Sequence, residues 1–229
     1  MDAAQSARGH GVSRIEGFSD AVFGFALTLL VVSLEVPRSF AELMATMEGF
    51  LAFAICFAMI VWVWREHFVF FRRFGLEDAR TIFLNALLLF VVLFYVYPLK
   101  FLFGALVKAM TGLGPGSTPT LALGDGERLM VVYGLGFVAM FGALALLYAH
   151  AARLARRAGA DALTRHDARA GLMRHAATAS VGVLSIVLAL VLPERLISFS
   201  GWIYGLLGPV HGLVGWRLGR RRARLEAAG

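Results

Sequence analysis

Apolar residues along this chain gather into long runs separated by short polar stretches. Counting runs of about 20 apolar residues, the length of helix that crosses a hydrocarbon core, gives six, at roughly 18–36, 44–66, 80–104, 128–152, 172–192 and 199–217. The pattern predicts an all-α, polytopic membrane protein whose six transmembrane helices form a single domain over residues 1–229. The first run follows a polar leader and has no small-x-small cleavage pattern before Pro37, so it reads as a retained span. Span 1 ends at Glu35-Val36-Pro37, and its short link to Ala41 makes an antiparallel hairpin with span 2. The connection TGLGPGSTPTLALGDG between spans 3 and 4 has turn formers and no apolar period, as an external loop does. Its GLGPG lacks the strand-then-helix setting and the Lys-Ser/Thr of a phosphate loop.

Composition agrees with this picture: 59% of the 229 residues are hydrophobic and only 16% charged, with a mean hydropathy of +0.74. A soluble globule is excluded. The formal charge of +7 is sorted by loop. Arg8 and Arg14 precede span 1. Arg65, Arg72, Arg73 and Arg80 surround the 2–3 loop, Arg153 to Arg174 the 4–5 loop, and Arg217 to Arg224 close the chain, which places 17 of 22 Lys and Arg on one side. The positive-inside rule assigns that side, and both termini, to the cytoplasm, with the chain multi-pass in the cell membrane. Topology alone accounts for the RRRAR tail, so no nucleic-acid partner is expected; membrane lipids are. The lone Cys56 permits no intrachain disulfide.

Inside the spans, a few polar residues stand out. Trp62 and Trp64 occupy an expected interfacial belt at the end of span 2, followed by Glu66 and His67. Taken alone, His67 reads as a solvated interfacial histidine. Asn85, near the start of span 3, needs a hydrogen-bonding partner on another helix. His150, His166 and His175 lie among arginines, a setting that opposes a metal site and suggests a solvated face. In span 6, Gly201, Gly205, Gly208, Gly212, Gly215 and Gly219 share one helical face, suited to close packing within the subunit or between subunits, and Pro209 is expected to kink the helix.

Span 1 carries the most informative pattern, RIEGFSDAVFGFALTLLVVSLEVP. A carboxylate near hydrocarbon costs roughly 2.5–3.5 kcal/mol at mid-membrane and less near an interface, so Asp20 asks for a reason. With about 100° per residue, Phe25, Leu29, Val32 and Val36 fall on one line that extends down to Phe18 and Arg14, with Thr28 at its margin. Ser19 and Asp20 point away from it, toward neighbouring helices and groups such as His67 or Asn85.

Arg14, Phe18, Ser19 and Asp20 form R-x-x-x-F-S-D, followed by an apolar run with T-L-L that ends in Pro37. This resembles the signature of the TMEM175 family of potassium channels in its prokaryotic six-span form. Agreement continues in Trp64 and His67, in Leu84-Asn85 with the later Pro98, and in the six-span layout. The resemblance implies a homotetramer whose four first helices line a central potassium pore without a TVGYG filter, and no cofactor or resident metal. It further implies that Phe25, Leu29 and Val32 form the constricting layers, with Thr28 as a threonine layer tied to modest potassium selectivity. Arg14, Ser19 and Asp20 are similar to residues that tie span 1 to its neighbours. Phe25 departs from the isoleucine or leucine of the family.

Two other functional classes fit the sequence less well. A proton-coupled secondary transporter would use Asp20 as carrier, but no internal repeat is visible. A membrane enzyme would draw on Glu66, His67 and His150, yet no nucleophile–base pair or metal cluster is evident.

Overall fold

The computed structural model describes residues 13–32, 36–112 and 124–227. Arg8, Glu35 and most of the 3–4 loop lie outside the described residues. The first helix, α1 (Arg14–Val32), begins at a capping box: the Ser13 N–H donates to Glu16 Oε2 at 2.9 Å, and the Glu16 N–H to Ser13 Oγ at 3.3 Å. This Ser-x-x-Glu signal starts the helix four residues before the apolar run.

The second run divides at Gly49 into a short helix α2 (Phe40–Glu48) and a long α3 (Phe50–Phe74). Ser39 caps α2, which buries none of its residues. α3 runs well past the expected residue 66, because VWVWREHFVFFRRF keeps an apolar face there that buries Val63, Phe70 and Phe71. It stops at Gly75, whose φ of +54° only glycine adopts without strain. α4 (Ala79–Thr111) continues through Pro98 as one 33-residue helix, as helices in apolar surroundings can when neighbours re-satisfy the backbone.

α5 (Asp125–Arg157) and α6 (Ala162–Val191) form a tight antiparallel hairpin around Gly159. Small residues permit the approach. A Cβ on Gly134 would meet Ile186 Cγ1 at 2.5 Å, and one on Gly182 would meet Val138 Cγ2 at 2.8 Å. Likewise Gly171 lies under the Tyr148 ring and Gly136 under Tyr95. The core sits where α3, α4 and α5 face one another, filled by Leu88, Leu144, Leu147, Phe70, Phe137 and Phe141.

The last apolar run is not one helix. It comprises a 3-10 turn at Glu194–Leu196, α7 (Ser198–Trp202), a second 3-10 turn at Ile203–Leu206 and α8 (Leu207–Glu226). Pro209 sits in the first turn of α8, just after the change of helix type, instead of kinking a continuous span. Consequently five helices among the described residues, α1, α3, α4, α5 and α6, are long and apolar enough to cross a membrane. Beyond Gly201, whose Cβ would touch Met130 Sδ at 3.7 Å, the glycine face does not pack among the described residues: a Cβ on Gly205, Gly208, Gly212, Gly215 or Gly219 would meet nothing within 4 Å.

Close α5–α6 packing predicts a contrast. Gly182→Val forces Val138 and Phe137 aside and should lower stability by about 1–3 kcal/mol. Gly142→Ala, where added bulk meets open space, should be neutral or gain up to about 1 kcal/mol of helix propensity. Thermal unfolding midpoints in detergent measure both.

Candidate functional site

α1 has two unlike faces. Ser19, Phe23, Ala26 and Leu30 are buried, and the helix packs on α3 and α4. Phe18, Phe25 and Val32 are exposed by 63%, 67% and 70%, flanked by exposed Arg14, Ala21, Gly24 and Thr28. The open face is centred nearer Thr28 than the helical wheel suggested, because Leu29 is half-buried against the core. The Thr28 hydroxyl donates to the Gly24 carbonyl at 2.9 Å. Its proton is thus committed to its own helix, leaving oxygen lone pairs for the open side.

The buried face is anchored by a directional chain of hydrogen bonds. Ser19 Oγ–H donates to the Ile15 carbonyl at 2.7 Å, so its oxygen must accept from Asn85 Nδ2 at 2.9 Å. The Asn85 oxygen then accepts from His67 Nε2, also at 2.9 Å. This fixes His67 as the Nε2–H tautomer. His67, Asn85 and Ser19 are 1%, 2% and 0% exposed, so the solvated reading of His67 fails. The rings of Phe23 and Phe71, with centroids 5.5 and 4.5 Å from the imidazole, replace water around it. Asp20 belongs to a separate, exposed contact, its Oδ1 accepting from Trp64 Nε1 at 2.8 Å. Arg14 and Phe18 lie on the open face and join neither contact.

Further polar groups are buried where sequence reading expected solvent. His150, His166 and His175 each face a different carboxylate: Asp78 at 3.0 Å, Asp167 at 3.4 Å and Glu66 at 3.5 Å. Burial arises because α5 and α6 stay packed beyond the membrane-length portion, so the flanking arginines and histidines acquire insides. Glu66 also accepts from Arg65 at 2.8 Å and lies 3.6 Å from Arg174. Arg73 pairs with Asp167. Glu66, His67 and His150 therefore point into three separate networks and assemble no common site.

Asp78 caps α4, accepting from the Thr81 N–H at 3.2 Å and the Thr81 hydroxyl at 2.6 Å. Partial burial works to raise its pKa, but the Thr81 and His150 hydrogen bonds prevail and hold it down to about 2. Its S/T/D-type cap position in the polar link LEDAR was the available sequence signal; the His150 partner, 72 residues away, had none.

The five long apolar helices and the polar contacts buried between them define a helical, multi-pass membrane protein. The family described as endosomal/lysosomal potassium channel TMEM175 matches residues 14–95, a stretch that holds the whole Ser19–Asn85–His67 chain. A potassium channel of Marivirga tractuosa is 37% identical over 234 residues, covering 96% of this chain and 93% of that protein. A potassium channel of Chamaesiphon minutus is 36% identical over 93 residues, 37% of this chain and 46% of its own. Among solved structures, a variant of the potassium channel MtTMEM175 bound to a nanobody–MBP fusion superposes with a TM-score of 0.81 at 36% identity, over 93% of this chain and 96% of that one. The TMEM175 homolog from Chamaesiphon minutus, titled a lysosomal potassium-selective channel, gives 0.58 at 25% identity, over 87% and 95%. The chain belongs to the TMEM175 family.

Two outcomes follow from the anchors. Asn85→Leu strands the Ser19 oxygen and the His67 N–H in an apolar setting and should cost about 1–3 kcal/mol. A Ser19→Ala/Asn85→Ala double-mutant cycle should show coupling of about 0.5–3 kcal/mol. Asp78→Asn keeps a capping acceptor but removes the charge. Because the folded pKa is depressed from 3.8 to about 2, the charge stabilises fully above the unfolded value and ceases to do so as pH falls through the folded one. The gap between wild-type and Asp78→Asn unfolding midpoints should therefore narrow as the pH is lowered from 3.8 to about 2.

Proposed function

We propose that this protein is a potassium channel in the cell membrane, a homotetramer whose four α1 helices surround the pore. The observation that carries the reading is the division of α1: one face is tied into the fold through Ser19, while the other, from Phe18 through Phe25 and Thr28 to Val32, is left largely exposed by the described residues of its own chain. α1 is the least covered of the candidate spans, 22% buried against 33–44% for the others. The potassium-channel names of its relatives support the same reading.

One chain offers one such helix, and a pore needs several, so the working unit is a closed ring of copies. In that ring Phe25, Leu29 and Val32 form apolar layers that impede ions by excluding water, with Phe25 the bulkiest. Thr28 oxygens, their protons held by Gly24, offer lone pairs to a cation losing part of its hydration. Potassium sheds water more readily than sodium, which gives a modest preference. Asp20, engaged by Trp64, serves as an anchor at the mouth of the helix rather than as a proton carrier.

The segment 194–226 is read as the sixth span. Its start is held to the N-terminus of α5, where the Gly124 N–H donates to Glu194 Oε1 at 2.5 Å, and the segment then runs antiparallel to α6. Ser185 Oγ donates to the Ser200 carbonyl at 2.7 Å, and His211 lies 2.9 Å from Thr178 farther along. Six spans return the C-terminus to the side of the N-terminus, and the arginine-rich loops assign that side to the cytoplasm.

In liposomes with a potassium gradient, Phe25→Ala should raise passive potassium flux severalfold over wild type; unchanged flux would remove Phe25 from the constriction, and flux that requires a proton gradient would argue for a transporter. Oxidative cross-linking of Val32→Cys in a Cys56→Ser background should give dimers through α1. Monomers alone would be incompatible with a central α1 pore.

A further inference from the structure

Several arginines at the end of the molecule that holds the α3–α4 link have local partners. Arg73 pairs with Asp167, Arg65 and Arg174 face Glu66, Arg222 pairs with Glu226 at 2.8 Å, and Arg220 covers the Trp216 ring at 4.8 Å. Others, such as Arg72, Arg169, Arg221 and Arg224, have none among the described residues, and Arg153, Arg156 and Arg157 are set apart from these by the hollow they share. They line one open concavity of about 290 Å³, and among the described residues none has a carboxylate partner. Arg153 Nε donates to the Ala149 carbonyl at 3.3 Å, which fixes its base and leaves its terminal nitrogens outward.

Their spacing matters. On a helix, positions i, i+3 and i+4 are neighbours, and like charges there repel by about 0.2–0.5 kcal/mol per pair. The helix macrodipole favours cations in the last turn of α5, but it does not explain why three arginines line one hollow. An anion between them offsets the repulsion and accepts paired N–H donors, which a phosphate does with two oxygens per guanidinium.

Depth identifies the source of that phosphate. His150 is held at 3.0 Å to Asp78 in the α3–α4 link, so Arg153 to Arg157 begin one turn beyond it, roughly 5–10 Å along the helix axis. Just inside that link, Ile82 and Phe83 are exposed by 52% and 67% and bear apolar side chains suited to acyl chains. Headgroups occupy about 5–8 Å on each side of the hydrocarbon. The three arginines therefore sit at headgroup level.

We propose that Arg153, Arg156 and Arg157 form a binding site for the phosphate of an anionic phospholipid in the leaflet at this end of the protein. The site stands independently of whether the protein conducts potassium. It holds the α5–α6 hairpin against the membrane surface.

The test uses the full-length protein in nanodiscs of phosphatidylcholine alone or with phosphatidylglycerol at a third of the lipid. Phosphatidylglycerol should raise the wild-type unfolding midpoint by several degrees. Arg153→Gln/Arg156→Gln/Arg157→Gln should lose at least half of that rise, while keeping the wild-type midpoint in phosphatidylcholine. The control Arg221→Gln/Arg224→Gln should retain the rise. Full retention in the triple variant, or equal loss in the control, would overturn the site. Inorganic pyrophosphate added to phosphatidylcholine nanodiscs should have little effect; a rise matching that from phosphatidylglycerol, abolished in the triple variant, would overturn the lipid as ligand in favour of a soluble phosphate compound.

Discussion

The structure depends on one constraint: polar groups withdrawn from water must be satisfied by other parts of the chain. The Ser19–Asn85–His67 relay meets that constraint across three helices at once, except at His67 Nδ1, which has no hydrogen-bond partner among the described residues. Each member has one role left once its neighbour has taken its own, so the Ile15 carbonyl at one end dictates the imidazole tautomer at the other. Fixing α1 in this way also fixes which side of it is left open. The apolar face with Thr28 is not selected by any contact of its own; it is what remains when Ser19, Phe23, Ala26 and Leu30 have been used.

The same constraint recurs around α3. Glu66 and His67 are consecutive and so point in different directions, the first toward Arg174 and His175 of α6, the second toward α1 and α4. α3 thereby joins α1 and α4 to the α5–α6 hairpin. In the hairpin, glycines under Tyr148 and against Ile186 let the helices approach closely, and close approach carries the packing beyond the apolar runs. This extension turns His150, His166 and His175 inward, each toward a carboxylate, while Arg153, Arg156 and Arg157 have no carboxylate partner among the described residues.

Much of this was legible in the sequence. Five of the six apolar runs became membrane-length helices because length and composition suffice when backbone hydrogen bonds can be made within the segment. The opposite directions of Ser19 and the Phe25 line follow from helical periodicity, and the need of Asn85 for a partner follows from its amide. Periodicity could not foresee the half-burial of Leu29, since that depends on how α1 leans on its neighbours. Nor could it foresee the 3-10 turn at 203–206: Gly201, Gly205 and Gly208 keep a regular spacing in the sequence, but glycine tolerates several backbone geometries and specifies none.

By itself, then, the sequence determined the class of protein, the helix boundaries set by Ser13, Asp78 and Gly75, the sorting of arginines by loop, and the two-sided character of α1. These are local properties, carried by residue type, spacing and end signals. Tertiary structure alone decided which carboxylate meets which histidine, that Asp20 meets Trp64 whereas Ser19 meets Asn85, and which arginines are left unpaired. Apart from the adjacent His166 and Asp167, those contacts join residues at least 18 positions apart, where the relative rotation and depth of packed helices, and no local rule, set the contact.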